Sequence, residues 1–185
     1  MCKAILPLMS AHGRMVNLSS VASSLKQYSE AIQARFRNPE NSIEDLDALA
    51  EEYLVNPHPS FPPSAPKSPT DLLRRQSSVS SSTESQAGFA RPGLSYNVSK
   101  ALVNSLTSIL ARDNPNILIN SCCPGWIATD MGHLVGSGHV RPPKTPEEGA
   151  RIPVRLALED LRGVTGRYWA NGSVRSRGAG EVQEW

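Results

Sequence analysis

The chain has 185 residues, of which 39% are hydrophobic and 19% are charged, and its formal net charge at pH 7 is +2. This length predicts one medium-sized domain, and the near-neutral charge argues against nucleic acid or a membrane surface as a partner. No apolar run reaches the roughly 20 residues that cross a bilayer, so we expect a cytoplasmic protein.

The amino-terminal segment predicts the end of a helix followed by a buried strand. Residues 3–11 have helical character, and Gly13 breaks the pattern. The sequence RMVNLSS at 14–20 is a short apolar run that ends in small polar residues, which is typical of a buried strand.

Two helical segments and a biased segment follow this strand. Residues 29–39 and 41–54 have helical spacing, and Ser42 with Asp45 resembles a capping arrangement. Residues 55–92 are first proline-rich and then serine-rich. A composition of this kind buries little apolar area, so we predict a disordered insertion there.

The carboxyl-terminal half alternates helices and strands. The pattern predicts a helix over 95–111 with a core face of Ala101, Leu102, Leu106, Ile109 and Leu110. It then predicts a buried strand at 116–123, a helix over 145–158 with Thr145 as its N-cap, and a strand at 165–170. This order favours an α/β fold with parallel βαβ units.

The polar motifs of the chain give no metal or disulfide site. Cys2, Cys122 and Cys123 lack the spacing of a zinc site or a disulfide framework, and the adjacent pair is expected to be buried. The four histidines have no ligand-like spacing, so we assign no metal.

Tyr96 and Lys100 stand four residues apart in the predicted helix, on one face. Free tyrosine is a weak acid at neutral pH, but a nearby ammonium group favours the phenolate and brings the hydroxyl into range for proton transfer. A serine hydroxyl at a neighbouring strand end, for which Ser20 is the natural candidate, could hold a substrate oxygen. The alternative is an exposed pair on a solvated face.

Three blocks in fixed order carry a family resemblance: GRMVNLSS at 13–20, SYNVSKA at 95–101 and ILINSCCPGWIATDM at 117–131. Together they resemble the short-chain dehydrogenase/reductase family. The CCPGW block with its TDM ending, the long segment between Ser20 and Tyr96 and the final EVQEW resemble the carbonyl reductase subgroup of that family.

The resemblance implies a set of site residues and a cofactor. Tyr96 would be the general acid, Lys100 would tune it and bind the nicotinamide ribose, and Ser20, rather than its rival Ser19, would orient the substrate carbonyl. The segment after the second strand would contact the cofactor, NADPH in preference to NADH, through Pro124, Gly125, Ile127 and Thr129.

Other interpretations of this last segment stay open. Pro124–Gly125 could be a plain turn, Thr129–Asp130 could cap a helix, and Trp126 could line the substrate pocket or only pack.

The chain also departs from the family pattern. It has no glycine-rich strand-to-helix turn for a pyrophosphate, so the resemblance implies a partial Rossmann-like, doubly wound parallel sheet containing the last three strands. Residues 1–185 would then form the carboxyl-terminal part of a reductase domain, and strand 14–20 would lack its inner neighbour.

Two functions follow from these observations. One is NADPH-dependent reduction of aldehydes or ketones, with a small-molecule carbonyl compound as the substrate. We expect this activity to be impaired in this chain alone. The other is a non-catalytic short isoform or pseudoenzyme that acts as a binding or regulatory protein. The resemblance favours a monomer for the full-length form. A plain α/β interaction domain would require all three motif blocks to be coincidence.

Overall fold

The computed structural model describes residues 2–55, 95–134 and 140–185. The predicted insertion at 55–92 lies outside the described residues, apart from Val55 at the end of a helix. The helices span Cys2–Ile5 (α1), Glu30–Arg37 (α2), Ile43–Val55 (α3), Ser95–Asp113 (α4), Asp130–Leu134 (α5) and Pro146–Leu158 (α6), with 3-10 turns at Leu6–Leu8, Val21–Ser23 and Leu25–Gln27.

The strands form one sheet of Arg14–Leu18 (β1), Leu118–Cys122 (β2), Tyr168–Ala170 (β3) and Glu181–Val182 (β4), in that spatial order. β1 pairs in parallel with β2, so that Leu18 lies opposite Cys122, and β2 pairs in parallel with β3. β4 pairs antiparallel with β3. The predicted α/β class and its three parallel strands are confirmed, and β4 is an additional strand.

Helices cover both faces of the sheet. The Ser121 side chain bonds to α4, whereas the next residue, Cys122, packs with Ile152 and Leu156 of α6. Adjacent residues in a strand point to opposite faces. α4 and α6 therefore lie on opposite sides of the sheet, as in a doubly wound fold.

The helix that carries Tyr96 and Lys100 is held by two apolar clusters. Its first half packs on α2 and α3 through Val98 and Ala101, and its second half packs on β2 through Leu110 and Ala111. Of the predicted core face, Ala101, Ile109 and Leu110 are buried, and Leu102 and Leu106 pack against the clusters.

Several local predictions are confirmed. Thr145 accepts a hydrogen bond from the Glu148 backbone N–H, and the Glu148 side chain bonds back to Thr145, which completes a capping box at α6. Ser42 and Asp45 form the predicted reciprocal pair at α3. Cys122 and Cys123 are buried. In the described part of the chain, no helix combines the length and apolarity that crossing a membrane requires.

Candidate active site

The candidate residues gather where the parallel strands end. β1 is followed by Ser19 and Ser20, β2 by Cys123 and Pro124, and β3 by Asn171. In an open α/β sheet the crevice outside the carboxyl ends of the strands is where ligands bind. Because β1, β2 and β3 are neighbours, the three segments that follow them lie side by side at this edge.

Tyr96 and Lys100 lie together in the first two turns of α4, as their spacing predicts. The Lys100 ammonium nitrogen is 5.5 Å from the centroid of the Tyr96 ring. The same nitrogen donates a hydrogen bond of 2.9 Å to the carbonyl of Leu18, the last residue of β1. Tyr96 remains 45% exposed. We call residues 95–100 the Tyr96 turn. The turn is attached to the end of β1, and the Tyr96 phenol is open to a ligand.

The two serines after β1 have different surroundings. Ser19 is buried, and its hydroxyl donates to the Lys100 carbonyl. Ser20 is half-buried, and its Oγ accepts a hydrogen bond from the Ala22 backbone N–H. Within the described residues the Ser20 hydroxyl proton has no acceptor. Ser20 is therefore the serine of the two that can donate to a substrate oxygen.

A chain of buried hydrogen bonds holds the Ser20 turn from behind. Ser121 in β2 donates to the Asn104 side-chain oxygen at 2.8 Å, and the Asn104 amide donates to Ser23 Oγ at 2.9 Å. Ser23 Oγ in turn donates to the Ser20 carbonyl at 2.6 Å. Each donor in this series of hydrogen bonds has an acceptor, and a buried network whose groups are all bonded holds those groups in place.

The segment after β2, here called the Pro124 loop (residues 124–129), depends on a glycine. Gly125 has a φ angle of +91°, which side-chain-bearing residues rarely adopt. A Cβ atom there would lie 2.7 Å from the Val174 carbonyl oxygen and 2.8 Å from Lys144 Nζ. Both the backbone conformation and the close packing require glycine at this position.

Lys144 fastens the Pro124 loop from below. Its side chain is 1% exposed, and Nζ donates a hydrogen bond of 2.7 Å to the Pro124 carbonyl. Its backbone carbonyl accepts from the Ala128 N–H at 2.8 Å. Burial lowers the pKa of Lys144, although Cys123 and Glu148 act in the opposite direction. A buried cation thus lies directly beneath the loop.

The backbone of the Pro124 loop presents a free donor. Ile127 forms a parallel bridge with Lys144, and its side chain packs against Gly149, where an added Cβ would lie 2.2 Å from Ile127 Cδ1. In such a bridge the residue's own N–H points away from its partner strand. The Ile127 N–H has no acceptor in the described part of the chain, so it can donate to a ligand; its contact with a cofactor carboxamide stays a prediction.

Thr129 and Trp126 have structural contacts of their own. Thr129 Oγ1 accepts from the Gly132 N–H at 3.2 Å and so caps α5, which is one of the two interpretations of Thr129–Asp130. The Trp126 indole N–H donates to the Gly132 carbonyl at 2.7 Å. Contact of Thr129 with a cofactor stays a prediction.

The structure therefore joins Tyr96, Lys100 and the end of β1, and it places Pro124, Gly125, Ile127 and Thr129 in one loop at the same sheet edge. Sequence reasoning missed the supporting residues Asn104 and Lys144. The available signal for Asn104 was a polar residue three positions after Ala101, on the core face of the helix. For Lys144 the sequence gives no such signal.

The chain resembles named reductases. It is 37% identical over 166 residues to carbonyl reductase (NADPH) 3 of Rattus norvegicus, covering 85% of this chain and 49% of that protein. It is 33% identical over 177 residues to carbonyl reductase (NADPH) 1 of Homo sapiens, covering 90% and 53%. The chain thus spans about half the length of the curated relatives that it matches.

Two solved structures of reductases are also similar to the chain. Salutaridine reductase from Papaver somniferum superposes with a TM-score of 0.65 at 26% identity, covering 90% of this chain and 49% of the other. Menthone neomenthol reductase from Mentha piperita gives a TM-score of 0.57 at 26% identity, covering 91% and 45%. No family model matches the chain.

Proposed function

Because this chain belongs to the carbonyl reductase group of the short-chain dehydrogenase/reductase family, we propose that it acts in the NADPH-dependent reduction of aldehydes or ketones to alcohols. The observation that carries the proposal is the Tyr96–Lys100 pair fastened to Leu18, two residues before Ser20 in the segment that follows β1. The Pro124 loop at the same edge supports it.

In this proposal each residue has one task at the carbonyl group. The Ser20 hydroxyl donates a hydrogen bond to the carbonyl oxygen, and the Tyr96 phenol transfers its proton to that oxygen. Lys100 steadies the resulting phenolate, and solvent returns the proton. NADPH, when bound, supplies the hydride that the carbonyl carbon receives. Lys100 and the Ile127 N–H would hold its ribose and carboxamide, with Pro124, Gly125 and Thr129 forming the surface beneath.

The family resemblance also supports the remaining parts of the proposal. We propose the cytoplasm as the location, a small carbonyl compound as the substrate, and a monomer rather than an oligomer for the full-length form.

One observation favours a second candidate, a non-catalytic binding or regulatory chain. β1 lies at one edge of the sheet among the described strands, and the curated relatives are about twice as long as this chain. A sheet edge with unpaired backbone groups is a surface for pairing with another strand.

A fluorescence titration of the purified chain with NADPH separates the two candidates. Saturable binding followed by aldehyde-dependent consumption of NADPH is the result that we expect of a reductase. A sample that is folded by circular dichroism and shows no saturable binding would overturn the proposal for this chain and favour the non-catalytic alternative. NADH serves as the comparison cofactor.

A further inference from the structure

An exposed cation is held over an aromatic ring at the carboxyl edge of the sheet. The Arg175 guanidinium carbon lies 5.4 Å from the centroid of the Trp126 ring. Trp126 is itself fixed twice, by its indole N–H on the Gly132 carbonyl and by its backbone N–H on the Val174 carbonyl at 3.0 Å. The ring is thus a fixed platform, and the guanidinium has a defined place on it.

The guanidinium N–H groups of Arg175 have no acceptor among the described residues; only its backbone N–H is used, by Ser173 Oγ. Its neighbour Arg177 donates to Glu148 at 2.5 Å and to the Pro143 carbonyl at 2.8 Å. Arg175 has no such oxygen acceptor among the described residues, and its side chain is exposed. Stacking on an aromatic face occupies the flat surface of a guanidinium and leaves its N–H groups at the edge free to bind an anion.

The position of Arg175 is set by the fold. Residues 171–175 follow β3, and Trp126 follows β2, so both belong to the edge at which Ser20 follows β1. Val174 contacts the Pro124 loop directly, because its carbonyl accepts from Trp126 and limits the space at Gly125. Arg175 therefore stands beside the Pro124 loop, with its guanidinium over the ring of Trp126.

The charges around this edge favour an anion. Lys144 is a buried cation beneath the loop, and Lys100 is a cation at the end of β1. Glu148, the acidic residue near Lys144, is occupied by Arg177. Asp130 is exposed at the start of α5 and is the acidic group closest in sequence to the loop. A crevice with an excess of one charge attracts ligands of the other.

We infer that Arg175 on Trp126 is a specificity-determining anion subsite, which selects carbonyl substrates that carry a carboxylate over neutral ones. This inference rests on the proposed function for the identity of the reacting group. It goes beyond that function by naming the substrate class. Charge-assisted bonds between a guanidinium and a carboxylate are among the stronger hydrogen bonds in proteins.

The test compares an anion with its neutral ester. The substrate pair is 4-carboxybenzaldehyde and methyl 4-formylbenzoate, assayed with NADPH on the full 185-residue chain. We expect R175Q to raise KM for the carboxylate aldehyde about tenfold or more and to leave kcat unchanged. KM for the methyl ester should also stay unchanged. R167Q is the matched control, because Arg167 is also exposed but precedes β3 and so lies at the opposite end of that strand.

A second measurement needs no cofactor. Binding of 4-(hydroxymethyl)benzoate and of its methyl ester is followed by tryptophan fluorescence, with W126F identifying the signal of Trp126. We expect the wild type and R167Q to prefer the carboxylate about tenfold and R175Q to lose that preference, while all three have the same thermal midpoint.

The outcomes separate the inference from the proposed function. Equal affinity of the wild type for acid and ester, an unchanged preference in R175Q, or an equal loss in R167Q would each overturn the anion subsite. If neither aldehyde is reduced with NADPH, the reductase proposal fails. The binding preference measured without NADPH still decides on Arg175 in that case.

Discussion

The Tyr96 turn and the Pro124 loop lie at the same edge of one sheet, yet they are held in different ways. Tyr96 is 45% exposed, and the turn is attached to the end of β1, an outer strand of the described sheet, by the Lys100 bond to Leu18 and by the Ser19 hydroxyl on the Lys100 carbonyl. The Pro124 loop contacts Lys144 below, Gly149 on α6 and Val174 on the far side.

This difference predicts which changes alter the stability of the fold and which alter only the reaction. The loop packs at distances that leave no room for an added methyl group, so changes in it should alter stability. The exposed phenol makes no side-chain hydrogen bond in the described part of the chain, so removing its hydroxyl should alter only the reaction.

The largest effect is expected for Tyr96→Phe. In the proposed mechanism this change removes the proton donor, and general acids contribute about 10²–10⁴-fold to turnover. We expect a loss of that order in kcat, with NADPH affinity and thermal midpoint unchanged, because the ring stays in place over Lys100. Steady-state kinetics and a fluorescence titration measure the two quantities. Near-normal turnover in the variant would remove Tyr96 from the role of acid.

Gly125→Ala tests the opposite side of the comparison. A positive φ angle and contacts of 2.7–2.8 Å around the new Cβ should lower the free energy of unfolding by about 1–3 kcal/mol. Gly172→Ala is the matched control, because an added Cβ there meets nothing within 4 Å. Urea denaturation of both variants gives the comparison. Equal stability of the two would show that the loop is not constrained as described.

Asn104→Ala should have a somewhat smaller effect that reaches from the core to the Ser20 turn. It leaves the buried hydroxyl of Ser121 without its acceptor and Ser23 without its donor, which costs about 2 kcal/mol of stability. Because Ser23 holds the Ser20 carbonyl, we also expect KM for the carbonyl substrate to rise. Asn97→Ala, which removes one half-buried bond to Gln27 from the same helix, is the control. A loss of about 2 kcal/mol of stability with an unchanged KM would confine the network to a structural role.

The elements of the fold were predictable where local pattern decides them. The apolar runs that became β1 and β2 and the capping box of α6 lie within a few consecutive residues. β4 was missed because Glu181 and Val182 are exposed, and only pairing with β3 makes them a strand. No periodicity marks a strand of two residues.

The site divides in the same way. Tyr96 and Lys100 share a helix face, so their spacing alone predicts that they meet. Lys144 could not be predicted, because its burial depends on a loop 20 residues earlier in the chain, and a lysine is almost never fully buried without a partner. Arg175 depends likewise on Trp126, which the fold brings from the end of another strand.

The smallest expected effect concerns the charge of Lys144 and appears only as a function of pH. Its pKa is lowered by burial, so between that lowered value and about 10.4, the ordinary lysine value, the unfolded chain holds a proton that the folded chain has lost. Stability from this group therefore rises with pH across that window. Lys144→Met removes the contribution and also the bond to the Pro124 carbonyl.

We expect the stability difference between wild type and Lys144→Met to move in favour of the wild type as pH rises through this window. Urea denaturation at several pH values measures it, and subtracting the variant cancels groups common to both. Cys122, whose burial raises the thiol pKa to about 12, is one such group, and it destabilises the fold above pH 9. A difference that stays constant with pH would mean that Lys144 titrates alike in the folded and unfolded chain, and the buried cation beneath the Pro124 loop would lose its electrostatic role.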